Sequence, residues 1–427
     1  MNNPVTPEPA GAKPSKHRAA DNGQKTYQAL LIGQQTGLMK AVPRLLIRAG
    51  FEVDVITTDE RFRSLVPVRN VTLAACVQDL LSLAAQRCQQ PYDLVVIGDD
   101  STLADIMQSG LSDEVKLALL PVHRVEDFVH LGTKIGLSQV LSQAGVMTPQ
   151  FWVLQDADAL SALLDSVPHP VMIKIDRSGG GQGVFKFTPG DSTTAMLQQP
   201  LIYPLLVQCL IEGELLDLSG FFQNGELIHF GHSQINASVS SQFGPSSVRT
   251  YTQLACLPEE VFIALRDLAS TIGAHGFTNI SCLRSHEDGN YYFVEADMRA
   301  NAWVEYTRYL GNDPALAIKA YFEKGQTLAY PQPMQVGYPS SCVIPFVFRL
   351  TPLEILANRH KVWLFCEGFS KWDILRHCVS DWVITFKQTA DKRIRPRVSA
   401  KVWQRLRRCW RVATRVGKSP VQGTRLN

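Results

Sequence analysis

The sequence predicts a mixed α/β and α+β protein. It has an open parallel α/β domain at the N-terminal end, strand-rich α+β units in the middle and a mainly helical C-terminal extension. Three stretches carry this reading. Before residue 120 the continuous apolar runs YQALLIG, FEVDVIT and YDLVVIG alternate with helical patterns, as expected of strands covered on both faces. Val171–Phe187, VMIKIDRSGGGQGVFKF, sets two short strands about a glycine-rich loop,. Tyr291–Arg299, YYFVEADMR, is a further apolar strand that ends in charged residues.

Taken in order, residues 1–25 are rich in Pro, Ala, Asn and Lys and contain no apolar run of signal-peptide length, so they read as a disordered leader,. In a domain spanning 26–120, Tyr27–Gly33 is a buried first strand, Leu38–Ala49 a helix and Phe51–Thr57 a second strand. Val77–Cys88 follows as a helix and Tyr92–Gly98 as another strand,. Gly33 and Gly37 admit either tight helix packing or a nucleotide loop,. Asp99 and Asp100 stand at the sheet edge where parallel strands place ligands, and read either as capping or solvated aspartates or as substrate contacts,. Phe128–Gly145 is predicted as one helix with Lys134 near its start, stopped by Gly145 with Pro149 beyond,.

The central stretch supplies the chemistry. Gly179, Gly180, Gly181 and Gly183 have no side chains, so their backbone N–H groups can lie close against an anion such as a triphosphate, with Lys174 as countercharge,. A plain hairpin turn is the competing reading. Strand alternation places Glu295, Asp297 and Arg299 on one face,. Two carboxylates and a guanidinium are costly to bury together unless they hold a cation and an anion.

Composition narrows the classes. The apolar fraction of 45% with 19% charged residues fits an ordinary globular protein, and at 427 residues two or three domains are expected,. Nine scattered cysteines without a CxxC pair suggest neither a disulfide framework nor a zinc site,. With no apolar run long enough to span a bilayer, the expected location is a reducing cytoplasm. From Lys392 onward there are twelve Lys or Arg and no acid, against 30 basic and 39 acidic residues before it,.

Five blocks then occur in order: GTKIGLSQVLSQAGVMTPQFWVL, PVMIKIDRSGGGQGVFKF, LLVQCLIEGELLDLSGFFQNGEL, GFTNISC and YYFVEADMRANAW. In order and approximate spacing they resemble the ATP-grasp superfamily, over roughly Leu120 to Ala320. The resemblance implies an ATP-grasp domain over 121–330, with subdomains near 134–200 and 201–325, preceded by the family's usual α/β domain. It implies that Lys134 and Lys174 touch the nucleotide phosphates and that Ser178, Gly179, Gly180, Gly181 and Gly183 form the loop closing over them. Gln208 to Leu210 would be the hinge where adenine binds, and Glu214, one residue short of the usual offset, the ribose-binding acid. Glu295 and Asp297 would hold Mg²⁺, with Mn²⁺ as an alternative ion, and Arg299 would face the γ-phosphate.

The implied reaction transfers the γ-phosphoryl group of ATP to a substrate carboxylate, giving an acylphosphate that an amine, less readily a thiol, then attacks. Two departures bear on it. The strand before the last carries Asn279 and Ser281 where the family commonly has an acid, and Asp297 replaces the usual Asn. ATP binding without ligase activity is therefore the alternative.

The remaining residues invite structural and functional readings side by side. Arg249 reads as a surface arginine or as a partner for a substrate carboxylate, and Asn301, Trp303 and Glu305 are candidates to line an acceptor pocket,. His229 and His232 are expected to be structural, since their spacing on a strand makes a poor metal pair,. In the extension, 331–427, residues 398–416 read as a basic amphipathic helix,. It would lie on an anionic membrane, bind an acidic partner or dock on the chain's own acidic body. Nothing resembles a base-reading module, so sequence-specific nucleic-acid binding is not expected. The expected partners are a small-molecule carboxylate and amine, and no oligomeric state is indicated.

Overall fold

The computed structural model describes residues 26–60, 62, 68–238 and 244–345. The predicted leader and the basic stretch 398–416 lie outside the described residues.

The first domain is a four-stranded parallel sheet of β1 (Tyr27–Gly33), β2 (Phe51–Thr57), β3 (Asn70–Leu73) and β4 (Leu94–Ile97), in the order β3-β2-β1-β4. Leu30, Leu31 and Ile32 of β1 are all fully buried, as a strand covered on both faces requires,. The predicted helix over Leu38–Ala49 is divided into Thr36–Met39 and Ala41–Arg48. Gly33 owes its identity to packing, because a Cβ there would lie 2.6 Å from Met39 Sδ and 2.7 Å from Asp99 Oδ2.

A second, antiparallel sheet, ordered β5-β8-β6-β7, joins β5 (Phe151–Leu154), β6 (Val171–Ile175), β7 (Val184–Phe187) and β8 (Leu205–Cys209). This lobe has its own apolar core, in which Leu160 and Leu164 of the helix Ala157–Ser166 pack on Val171, Ile173, Phe187, Leu205 and Val207.

The third sheet holds six strands in the order β13-β12-β9-β10-β11-β14: β9 (Gly213–Gln223), β10 (Glu226–Ser238), β11 (Ser246–Thr252), β12 (Gly276–Ser285), β13 (Tyr291–Asp297) and β14 (Ser341–Pro345). Asn224 (φ +50°) and Gly225 (φ +80°) make the tight β9–β10 turn, where only residues tolerant of left-handed backbone fit,. One face is covered by the helix Glu259–Thr271, whose Val261, Phe262, Leu265, Leu268 and Ala269 recur at helical spacing and are all buried,. The cores of this sheet and of the first domain are continuous, with Ile32 and Phe262 in one cluster and Val53 and Phe221 in another.

β14, at the start of the extension expected to be mainly helical, adds to the edge of β11, where unpaired backbone groups favour another strand,. One expectation is corrected. The single helix predicted over Phe128–Gly145 is a 3₁₀ turn, Val125–His130, followed by an α-helix, Lys134–Gln143, with Thr133 capping it through the Gly136 N–H,.

Phe262 is fully buried and lies edge-on to Phe230 with ring centroids 5.1 Å apart. Phe262→Ala should cost about 3–5 kcal/mol, measured as a lowered urea midpoint with an unchanged slope.

Candidate active site

Lys134 and Lys174 arrive from different elements. Lys174 projects from β6, and its Nζ donates to Gln208 Oε1 on the neighbouring β8 at 2.7 Å. Gln208 is itself fixed, its Nε2 donating to Ser138 Oγ of the helix Lys134–Gln143 at 3.2 Å. Burial draws the Lys174 ammonium down to about 8; Glu295 resists this shift and the Lys134 charge adds to it,. Lys134, the first residue of that helix, donates to the carbonyl of Ser178 at 2.5 Å and that of Asp176 at 3.4 Å, and pairs with Glu295 Oε1 at 3.2 Å.

The glycine loop is held at both ends. Ile175 N donates to Gly183 O at 2.8 Å and Ser178 Oγ to Ile175 O at 2.8 Å, while Asp176 accepts from Thr133 Oγ1 and Ile135 N. Gly180 (φ +62°) and Gly181 (φ +75°) adopt left-handed backbone between these ends, which side-chain-bearing residues resist,. Gly179 and Gly180 are exposed.

The opposing wall is the face of the six-stranded sheet turned away from the helix Glu259–Thr271, the face that carries Asp217 and Asn279. Glu295 and Asp297 alternate on β13, opposite Ser281 and Asn279 of β12. The strand ends at Asp297, short of the predicted Arg299. Arg299 nevertheless joins the group, its Nη2 donating to Asp297 Oδ2 at 3.0 Å and its Nε to Asp100 Oδ1 at 2.6 Å. Asp297 is raised to about 7: burial disfavours its charge, Arg299 offsets part of this, and the carboxylates of Glu295 and Asp100 push it further,.

Such a crowded carboxylate set fits a divalent cation. The Asn279 amide lies between two acids, its nitrogen reaching Asp217 at 2.7 and 3.1 Å in one orientation and Asp297 at 3.4 Å in the other,. In the first orientation its oxygen faces Asp297. Glu295, Asp297 and Asn279 then present oxygen donors of the kind Mg²⁺ takes alongside phosphates. Among the described residues no group of three or more His, Cys, Asp or Glu is placed to hold a metal ion, so the carboxylates offered are these two.

Other predicted residues are placed differently. The Gln208 side chain is turned to Lys174, and the Leu210 N–H is taken by Pro170 O at 3.0 Å. Glu214 stands at the rim of β9, 3.9 Å from Arg284. Arg249 is buried, not on the surface, and its two terminal nitrogens grip Asp217 at 2.6 and 3.0 Å above the Trp303 ring. Asn301 closes this network on Ser219 and Asp217. Glu305 faces away, pairing with Arg48 of the first domain at 2.8 Å. His229 and His232 are buried apart from the site, each drawn down to about 4 by burial.

Asp217 is the residue that sequence reasoning missed. Its signal is a lone acid inside the apolar strand run ELLDLSGFF, which burial makes tolerable only with a partner,. Asp217→Ala would strand the Arg249 guanidinium and should destabilise the protein by about 3–5 kcal/mol, read by chemical denaturation.

No protein-family model matches the sequence, and no curated protein matches it. Solved structures do. An L-amino acid ligase from Bacillus licheniformis superposes with a TM-score of 0.51 at 16% identity, covering 70% of this chain and 74% of that one. The biotin carboxylase domain of a 2-oxoglutarate carboxylase from Hydrogenobacter thermophilus, solved with MgADP, ADP and bicarbonate, gives 0.52 at 17% identity, covering 72% of each chain. A carboxyaminoimidazole ribonucleotide synthase from Aspergillus clavatus, complexed with ATP, gives 0.51 at 13% identity over 68% of this chain and 75% of that one. At these identities the likeness is one of architecture: the chain has the ATP-grasp fold.

Proposed function

We propose that the chain is an ATP-dependent ligase that activates a carboxylate as an acylphosphate and joins it to an amine. The observation that carries this reading is the convergence of three cations and two carboxylates from separate elements. Lys134 lies 3.2 Å from Glu295, Arg299 lies 3.0 Å from Asp297, and the glycine loop is tied to Lys134.

Each group has a task in that chemistry. Lys134 and Lys174 exchange their present partners for phosphate oxygens, and the N–H groups of Gly179 to Gly183 cover the same oxygens and keep water from the acylphosphate. Glu295 and Asp297, with Asn279 beside them, would hold Mg²⁺, which supplies charge neutralisation at the phosphates when bound. Arg299 stabilises the charge that gathers on the phosphoryl oxygens as the bond to the ADP oxygen breaks and the bond to the carboxylate oxygen forms. Gln208 keeps the Lys174 ammonium aimed into the site, the Leu210 carbonyl is the hinge acceptor for an adenine amine, and Glu214 is the candidate ribose partner.

Ser281, standing opposite Glu295 where an acid would complete the carboxylate set, favours a second reading in which ATP binds without acyl transfer. The two differ in turnover. Purified protein with MgATP should release ADP and phosphate when offered pools of amino acids and other carboxylic acids, and Glu295→Gln should lose this release. ATP binding without turnover in any pool would favour the second reading.

Lys174 sets a pH dependence. With its ammonium drawn down to about 8 in the free protein, its attraction for phosphate is present below pH 8 and is lost as pH rises through that value. The Kd for MgATP should therefore weaken between pH 7 and pH 9. In Lys174→Ala binding should be weaker by about tenfold or more at pH 7 and should lose this pH dependence, both measurable by calorimetry.

A further inference from the structure

The proposed reaction requires an amine that is an ammonium near neutral pH, yet the phosphate-facing groups of the site, Lys134, Lys174 and Arg299, are all cationic. An approaching ammonium needs a carboxylate oxygen that neither the nucleotide nor the metal claims in the ligase reading. The described acids around the site can be taken in turn. Glu295 pairs with Lys134, and Asp297 pairs with Arg299 and faces the cation position. Asp217 is buried under Arg249. Asp176 is taken up by Thr133 Oγ1 and Ile135 N, and Asp99 by Thr102, Gln34 and Gln35.

With Glu214 assigned to the ribose, Asp100 is the acid beside the site that has no nucleotide or metal role in the ligase reading. It is the first residue of the helix Asp100–Gln108 and its side chain is 57% exposed. Its Oδ1 accepts from Arg299 Nε at 2.6 Å, and its Oδ2 accepts nothing among the described residues. Its position is as telling as its freedom. Asp100 lies just beyond the carboxyl end of β4, next to β1, where the strand order β3-β2-β1-β4 reverses direction. Open α/β sheets bind ligands in the crevice at such a point. Polar side chains stand at this point, Gln34 bonded to Asp105 and Gln35 to Ser101. Through Arg299 the carboxylate is tied to the group that the ligase reading places at phosphoryl transfer,.

We propose that Asp100 binds the ammonium group of the acceptor, takes a proton from it as the nitrogen bonds to the acyl carbon and inorganic phosphate leaves, and thereby restricts acceptors to primary amines that are protonated in solution. This rests on the ligase reading and is tested so that the two fail separately. Hydroxylamine, which is largely uncharged near neutral pH, traps an acylphosphate as a hydroxamate without calling on Asp100. The wild-type protein is first given MgATP, hydroxylamine and a pool of amino and other carboxylic acids to identify the acyl donor. That donor is then offered methylamine and each L-amino acid as acceptor, with products read by mass spectrometry.

In Asp100→Asn, which keeps an oxygen for Arg299 but loses the charge, the ratio of amine product to hydroxamate at subsaturating amine should fall about tenfold or more. Asp100→Glu, which keeps the charge, should recover part of it. An unchanged ratio in Asp100→Asn, with both products falling together, would make Asp100 a support for Arg299 alone and overturn the assignment. So would a wild-type protein that passes the acyl group only to uncharged nucleophiles. Absence of hydroxamate across the whole pool defeats the ligase reading itself and this assignment with it.

Discussion

Lys134 is the point at which the parts of this protein meet. Its ammonium takes the carbonyls of Asp176 and Ser178 from the small lobe and the carboxylate of Glu295 from the large sheet. A cation only 11% exposed tolerates such burial because its donors are satisfied by oxygen on both sides,. The contact brings the glycine loop against the carboxylate strand.

Around that point the molecule divides unequally. The first domain and the six-stranded sheet share continuous apolar clusters, so they behave as one body,. The small lobe buries its own residues, from Leu160 to Val207, and meets the rest through polar bridges such as Gln208 to Ser138 and Asp176 to Thr133. Polar contacts of this kind exchange with water and ligand at little net cost, whereas apolar burial does not. The glycine loop is thus carried by the part of the structure best able to adjust, and Glu295 and Asp297 belong to the part least able to do so.

The face of the large sheet turned from the helix Glu259–Thr271 follows a related rule. Asp217, Arg249, Asn279 and Asn301 fill part of it with buried, bonded polar groups. Satisfied networks of this sort are rigid, since each member loses a partner if any other moves. They provide a floor on which Glu295, Asp297 and Arg299 keep fixed spacing.

Much of this was legible in the chain. The parallel domain followed from three continuous apolar runs, and the loop and carboxylate strand from glycine spacing and from alternation of 295 with 297. These are local properties, set by backbone sterics and by the two-residue repeat of a strand. Only the tertiary structure decided who pairs with whom. Arg249 looked like a surface residue because sequence gives no measure of depth, and its partner Asp217 lies on a strand that is not adjacent to it in the sheet. Arg299 and Asp100 are far apart along the chain and meet only because the carboxyl end of β4 abuts the large sheet. Sequence by itself thus determined which elements form and which residue types stand on their faces, because those depend on neighbours a few residues away. Charge pairing, burial and the lack, among the described residues, of a donor to one Asp100 oxygen were left to the tertiary structure, because they depend on groups brought together through space.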